Sequence, residues 1–248
     1  MNITILRFDS LLSTNIEAAH QARRGANEGL CIVARQQTAG RGRHGRVWVS
    51  PENAGLYFSI VLRPKMKMSL LPLLTLMSAI AVFDILQKLY GLKPDIKWAN
   101  DVLVNNKKIC GILAETIETK LGLAVIVGIG INLQSENFPP ELREIATSIE
   151  EEAKQTPNLE NLLQDLTNKF SNLYQILQKD GGAAQIRQEW MQRSSYAFGQ
   201  EVGVVLENET VFGTTRGIEQ NGALRVETKN GEVKIVHAGD VTKIRKTV

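Results

Sequence analysis

Gln37-Thr-Ala-Gly40-Arg41-Gly42-Arg43-His44-Gly45-Arg46-Val-Trp48 is the stretch on which the choice of fold turns. Its Gly40-x-Gly42-x-x-Gly45 spacing matches the dinucleotide fingerprint, which needs a strand before it and a helix opening from it. An apolar strand signal does precede it, at Leu30–Ala34. On its other side, Val47-Trp48-Val49-Ser50-Pro51 is β-prone and then broken by proline. No acidic residue comes after a helix and second strand at the required distance. No Gly-Lys-Ser/Thr closes the loop, so it is not a P-loop. A doubly wound nucleotide fold is therefore not expected. Glycine lets the backbone take φ > 0 and approach a ligand closely, and arginine supplies a permanent charge with a fork of donors. By itself the stretch has two readings: a loop that is mobile when empty and orders around an anion, or an arginine-glycine surface turn touching nucleic acid.

Working outward, the chain of 248 residues is long enough for one large domain and a small one. A hydrophobic content of 43% supports a full core, and a net charge of +3 is too mild to require a nucleic-acid partner. No apolar run is expected to span a membrane, and the N-terminal residues lack a signal-peptide layout. Cys31 and Cys110 sit in apolar surroundings and read as reduced core thiols. The three histidines have no metal-ligand spacing. These features predict a cytoplasmic protein with no membrane or metal-cluster role.

Upstream of the loop, Ile3–Phe8 alternates as a strand and Ile16–Arg24 reads as a helix. Ser13 or Thr14 is expected to cap it, with Glu17 completing a capping box. Downstream, Leu56–Leu62 is a strand stopped by Pro64. Leu71–Tyr90 has helical apolar spacing, with Gly91 as the residue past its end. Asp95–Trp98, Val102–Val104 and Lys108–Glu115 are strand signals, the last two joined by an Asn105-Asn106 hairpin turn. Leu121–Leu133 is a long apolar run. A short helix is expected at Pro140–Ile145, an amphipathic one at Asn158–Lys179 and a third at Ala183–Met191. From about Tyr196, four short strands separated by Asn-Glu and Asn-Gly turns predict a small β-barrel. The expected fold is α+β, a mixed or antiparallel sheet with helices in residues 1–193 and the small barrel in residues 194–248.

Four polar clusters interrupt these apolar elements: Ser13-Thr14-Asn15, the Gln37–Trp48 loop, Lys97–Lys108 and Gly128–Asn132. Lys97-Trp98-Ala99-Asn100-Asp101 gathers a lysine, an indole, an amide and a carboxylate within one turn. Taken alone, Lys108 reads more readily as an ordinary edge-strand lysine, the more frequent case for any single lysine. The glycines of Gly128-Ile-Gly130-Ile-Asn132 mean either a bulge or the close approach of a ligand or another backbone.

In this order, and together with Lys108-Ile-Cys-Gly111-Ile-Leu-Ala-Glu115, the clusters resemble the motifs of biotin–protein ligases, the holocarboxylase synthetase family. The resemblance spans nearly the whole chain. It implies a catalytic domain like that of class II aminoacyl-tRNA synthetases and an SH3-like C-terminal domain. Two positions depart from the family pattern: Ala99 replaces a common proline, and His44 stands where a basic residue is frequent.

The implied chemistry has two steps: biotin and ATP give biotinyl-5′-AMP and pyrophosphate, and a carrier-domain lysine then takes the biotinyl group. The resemblance assigns Lys108 to bridge the biotin carboxylate and the α-phosphate, and assigns Arg41 and Arg43 to close over the adenylate. Ser13, Thr14, Asn15 and Gln37 would bond biotin's ureido ring, while Gly40, Gly111, Gly128 and Gly130 would let backbone approach the ligands. Arg46, Trp48, Lys97, Asn100, Asn132 and Ala146 would serve the nucleotide, and Asp101 would position Mg²⁺ or an amine.

The expected partners are biotin, ATP with Mg²⁺, and the biotin carrier domain of a carboxylase, with homodimerisation through a sheet edge as a family property. Only twelve residues precede Ser13, so no operator-binding domain, and no DNA partner, is expected. Two competing readings are a lipoate–protein ligase, disfavoured by the intact Gly-Arg-Gly-Arg and Lys-Trp-x-Asn-Asp motifs, and a nucleic-acid module, disfavoured by the low net charge.

Overall fold

The computed structural model describes residues 1–136 and 138–243. Thr4–Leu11 (β1) leads into Thr14–Arg23 (α1), then Leu30–Gln37 (β2) and Gly55–Leu62 (β3). Leu73–Tyr90 (α2) precedes Pro94–Lys97 (β4), Asp101–Val104 (β5), Lys107–Thr119 (β6) and Gly122–Asn132 (β7). Ile149–Ala153 (α3), Leu159–Leu177 (α4) and Gly182–Arg193 (α5) come next. The chain then forms Phe198–Val205 (β8), Thr210–Ile218 (β9), Leu224–Glu227 (β10), Val233–Val236 (β11) and Asp240–Lys243 (β12).

The first seven strands make one sheet in the order β1-β2-β3-β7-β6-β5-β4. Only β1 and β2, joined through α1, pair in parallel; the remaining pairs are antiparallel. This is the expected mixed sheet in an α+β fold. The turn between β5 and β6 holds Asn105 and Asn106 at φ 51° and 64°, the pair of positive values a tight hairpin needs. The last five strands form a separate antiparallel sheet, β11-β10-β9-β8-β12. The C-terminal unit was expected to run to Val248; residues 244–248 lie outside the described residues.

The period-2 alternation of strands decides what each face of the large sheet does. Ile60, Leu62, Val125, Val127 and Ile129 point into the main core with α2 and α4. Their alternates Ile32, Val61, Ala124 and Ile126 meet Ala18 and Ala22 of α1 on the other face. That helix is short and covers only part of its face. The rest of the same face carries Tyr57, Ser59, Gly111, Gly128 and Gly130, and the site is built there.

Three expectations need correction. Ser13 is the N-cap of α1 but makes no side-chain cap bond. This puts Glu17 at the fourth helical position, one too far for a capping box, and Glu17 instead accepts from Gln21 at 2.6 Å. Second, Met68–Tyr90 is long and apolar enough to cross a bilayer, and an 18-residue window within it has a mean hydropathy of 2.0. Its hydrophobicity is explained inside the protein: 67% of that window is buried, because the sheet, α4 and α5 all pack on α2. Third, α3 and β12 were not anticipated, and Pro140–Ile145 contributes a single 3₁₀ turn, Pro140–Leu142. Elsewhere the end signals hold. Gly91 takes φ 64° and donates its N–H to the Gln87 carbonyl, and Asn158 caps α4 by accepting from the Asn161 N–H at 3.0 Å.

Candidate active site

The register across four strands places Tyr57, Gly130, Gly111 and Asp101 in one row, with Ser59, Gly128 and Leu113 in the next. β7 pairs without interruption on both sides over Gly128–Ile131. The two glycines therefore mark no bulge; they mark close approach. A Cβ on Gly128 would fall 2.1 Å from Oδ1 of Asn15, and one on Gly130 would fall 2.5 Å from the Trp48 indole. Gly111 also lies under that indole, at 2.9 Å from a built Cβ. Two cross-strand glycines thus form a flat floor on which Trp48 rests.

The Gln37–Trp48 stretch forms a two-stranded ribbon, with bridges from Gln37 to Ser50 and from Arg41 to Val47. Its tip, Arg43–Gly45, is one 3₁₀ turn in which His44 and Gly45 take φ 54° and 72°. No helix opens from it, which agrees with rejecting the dinucleotide fingerprint. Gly40 stays glycine for packing, since a Cβ there would lie 2.2 Å from the Trp48 carbonyl oxygen.

At one end of the cavity, the first turn of α1 and the ribbon meet in a polar cluster. Gln37 Oε1 accepts from the Thr14 N–H at 2.8 Å, and Gln37 Nε2 donates to Ser50 Oγ at 2.8 Å. Ser59, fully buried on β3, lies 2.7 Å from Thr14 Oγ1 and 2.6 Å from Asn15 Oδ1. Asn15 Nδ2 donates to Glu115 at 2.8 Å, and the other oxygen of Glu115 pairs with Arg41 at 2.8 Å.

The opposite end is cationic. A bulge between β5 and β6 skips one residue of pairing and re-aims Lys108 over Gly111. Its ammonium lies 2.7 Å from Asp101 Oδ1 and 5.3 Å from the Trp48 ring centroid. Arg43 donates to Asn100 Oδ1 at 2.9 Å and toward the Gly239 carbonyl at 3.4 Å. Arg46 is ion-paired with Asp240 of β12, so the small sheet contributes to this wall. Desolvation pulls the Lys97 ammonium below the usual lysine range, and the Asp101 charge opposes that shift.

The cavity wall therefore includes Ser13, Thr14, Asn15, Gln37, Arg41, Arg43, Arg46, Trp48, Asn100, Asp101, Lys108, Gly111, Gly128 and Gly130 among the residues anticipated from sequence. Gly40, Lys97, Asn132 and Ala146 are placed behind it. Asn132 donates to the Thr147 carbonyl at 2.9 Å, and Ala146 bridges Lys108 where β6 runs past its pairing with β7. Both thus support the backbone of Lys108 from outside the cavity. Tyr57, Ser59, Glu115 and Asp240 were not anticipated. Ser59 had a signal, a hydroxyl inside an otherwise apolar strand; Asp240 had none, because its partner lies far away in the chain. The Trp98–Ala99 peptide bond is cis. A second cleft, between the free edge of β6 and the loop Asn221–Ala223, adjoins the first at Arg43 and Asn100.

The sequence from 9 to 132 matches the biotin/lipoate A/B protein ligase family. The chain belongs to this family. Residues 197–243 match the biotin protein ligase C-terminal domain. Among relatives, the bifunctional ligase/repressor BirA of Bacillus spizizenii is 37% identical over 244 residues, covering 95% of this chain and 73% of that protein. The biotin–[acetyl-CoA-carboxylase] ligase of Paracoccus denitrificans is 34% identical over 236 residues, covering 92% of this chain and 96% of that one. Among solved structures, the biotin protein ligase of Aquifex aeolicus in complex with biotin and ATP superposes with a TM-score of 0.85 at 28% identity, over 98% of this chain and 99% of the other. The chain is thus an enzyme of the ligase class, and the small second sheet is a regular part of the biotin protein ligase fold.

Proposed function

We propose that the protein is an ATP-dependent biotin–protein ligase that forms biotinyl-5′-AMP and transfers the biotinyl group to a lysine of a carboxylase carrier domain. One observation carries this reading. A single cavity holds a buried hydrogen-bonding end, a flat indole floor and a cationic end in sequence along one sheet face. A bicyclic urea suits the polar end because its carbonyl and two N–H groups all need partners once buried. Its carboxylate then extends toward Lys108, and the nucleotide lies beside Trp48.

In the first step a biotin carboxylate oxygen attacks the α-phosphorus, and the bond to the β-phosphate breaks to release pyrophosphate. In the second, a lysine amine attacks the biotinyl carbonyl carbon and AMP leaves, with the amine proton passing to phosphate or solvent. No covalent enzyme intermediate is needed, so this chain's residues act by alignment and charge stabilisation. Lys108 is placed to bind both anions, and Asp101 holds its ammonium in line. Arg41 and Arg43 cover the adenylate and exclude water. Arg46, Asn100, Lys97, Asn132 and Ala146 serve the nucleotide, the last two through the Lys108 backbone.

No cluster of three or more potential metal ligands occurs among the described residues. Asp101 fits a Mg²⁺ carried in on the triphosphate, a mode that uses one or two carboxylates beside substrate phosphates; bound there, the ion would neutralise phosphate charge. The adjoining cleft offers the acceptor amine a route to the adenylate. We assign catalysis to residues 1–193 and carrier or nucleotide cover to the C-terminal unit.

The test is pyrophosphate release from ATP and Mg²⁺ with biotin alone. Lys108→Ala should abolish it, and Arg43→Gly should retain it while releasing free adenylate. Release with lipoate and none with biotin would overturn the substrate assignment.

A further inference from the structure

We infer that Glu115 is a positioning residue that sets the donor–acceptor direction of the cavity's polar end and seats Arg41 of the ribbon. This inference rests on the reading of the polar end as the biotin head-group site.

A carboxylate only accepts hydrogen bonds. Oε2 of Glu115 takes Nδ2 of Asn15 at 2.8 Å, and Oε1 takes Arg41 at 2.8 Å. Both oxygens are therefore engaged, by residues from two different elements. An amide is nearly symmetric in shape, so its neighbours decide which way it points. With its NH₂ held by Glu115 at 2.8 Å, and more weakly by the Leu113 carbonyl at 3.4 Å, Asn15 must turn Oδ1 toward Ser59. An amide oxygen cannot donate, so the single Ser59 hydrogen goes to Asn15 at 2.6 Å. With the Ser59 hydrogen so committed, the 2.7 Å contact between the Ser59 and Thr14 hydroxyls takes the single Thr14 hydrogen, which turns away from Gln37 Oε1 at 3.1 Å. Gln37 Oε1 is left to the Thr14 backbone N–H, and the chain runs on through Ser50 to the Trp48 carbonyl. One carboxylate thus determines which lone pairs of Thr14 face the ligand, and it joins both ends of the ribbon to that choice. The glycine at 128 belongs to the same device: any side chain there would collide with Asn15 Oδ1.

Glu115→Gln tests this with little change of shape. Its amide offers one acceptor to two donors, so either Asn15 or Arg41 loses its partner. The Michaelis constant for biotin should rise about 10- to 100-fold, the range set by losing a hydrogen bond to a charged group. The constant for ATP should stay within about twofold, because Glu115 faces the end away from Lys108. Leakage of free adenylate should rise, and Arg41→Ala combined with Glu115→Gln should leak no more than either alone. Without any substrate, trypsin should cut after Arg41 faster in Glu115→Gln than in the native protein, at unchanged Tm.

A biotin constant within twofold of native, or both constants rising together with a lowered Tm, would overturn the inference. If the native protein releases no pyrophosphate with biotin, the functional reading fails instead. The trypsin result still decides the seating of Arg41: equal rates in the two proteins would refute it.

Discussion

Replacing Gly130 with alanine places a methyl where the Trp48 indole rests. The new Cβ would lie 2.5 Å from the indole Cε2 and Nε1 and 2.8 Å from Cζ2. Carbon atoms in contact settle at about 3.5–4.0 Å, so the ring must rise by roughly 1 Å. Gly130 is not among the residues with positive φ, so alanine fits the backbone and, by narrowing the unfolded ensemble, contributes about 0.4–1 kcal/mol of stability. The prediction therefore splits stability from activity. The Tm should hold or rise slightly, while kcat/KM for ATP falls about 100-fold, the typical effect of a 1 Å misplacement, or about 2.7 kcal/mol of transition-state stabilisation. Gly111→Ala, with its nearest indole atom at 2.9 Å, needs a smaller shift and should lose roughly tenfold. Biotin-dependent pyrophosphate release measured across ATP concentrations, beside thermal unfolding, reads both quantities. A Gly130→Ala protein with native kcat/KM would show that the indole seat has no part in catalysis. A fall in Tm that matched the loss of activity would assign the glycine to folding instead.

Two more outcomes come from the same geometry. Asp240 brings a carboxylate to the cationic wall, where it pairs with the largely exposed Arg46. Asp240→Asn should lower the Michaelis constant for ATP by about two- to fivefold at low salt, the scale of an exposed ion pair, and the gain should vanish at high salt; a raised constant would contradict it. Burial pushes the Cys31 thiol up to about 12, and Cys110 moves in the same direction. A group raised on folding binds its proton more tightly in the native state, so stability should begin to fall as pH climbs past the unfolded thiol value near 9.0. Ellman's reagent at pH 8 should titrate neither thiol in the folded protein and both after guanidinium denaturation; rapid native reaction would refute their burial.

Much of the fold was legible because its signals are local. Gly91, Asn105-Asn106 and Asn158 each announce an element's end by a conformation or a bond that only neighbouring residues decide. The helix α4 shows its buried face through the spacing of Leu162, Leu166, Phe170 and Leu173. β12 was not legible, since only Val241 of its four residues is buried and no alternation can emerge. α3 has its N-cap signal in Ser148, which accepts from the Glu151 N–H, but it is too short to show a period. The capping box failed because Thr14, its other candidate cap, lies inside the first helical turn with its hydroxyl against Ser59. The site divided along the same line. Motifs identified residues that line the cavity or lie against backbone at close range, whereas Glu115 and Asp240 take their places from partners 100 and 194 residues away (Asn15 and Arg46).

The burial of α2 also has a consequence for synthesis. Its covering helices α4 and α5 end at Leu177 and Arg193, about a hundred residues beyond Tyr90. At about 5–20 residues per second, a ribosome therefore leaves a bilayer-grade segment without its lid for roughly 5–20 seconds. During that interval the apolar face of α2 is open to chaperones and to other nascent chains. Stalled or truncated products that stop before α5 should be the aggregation-prone species in the cell.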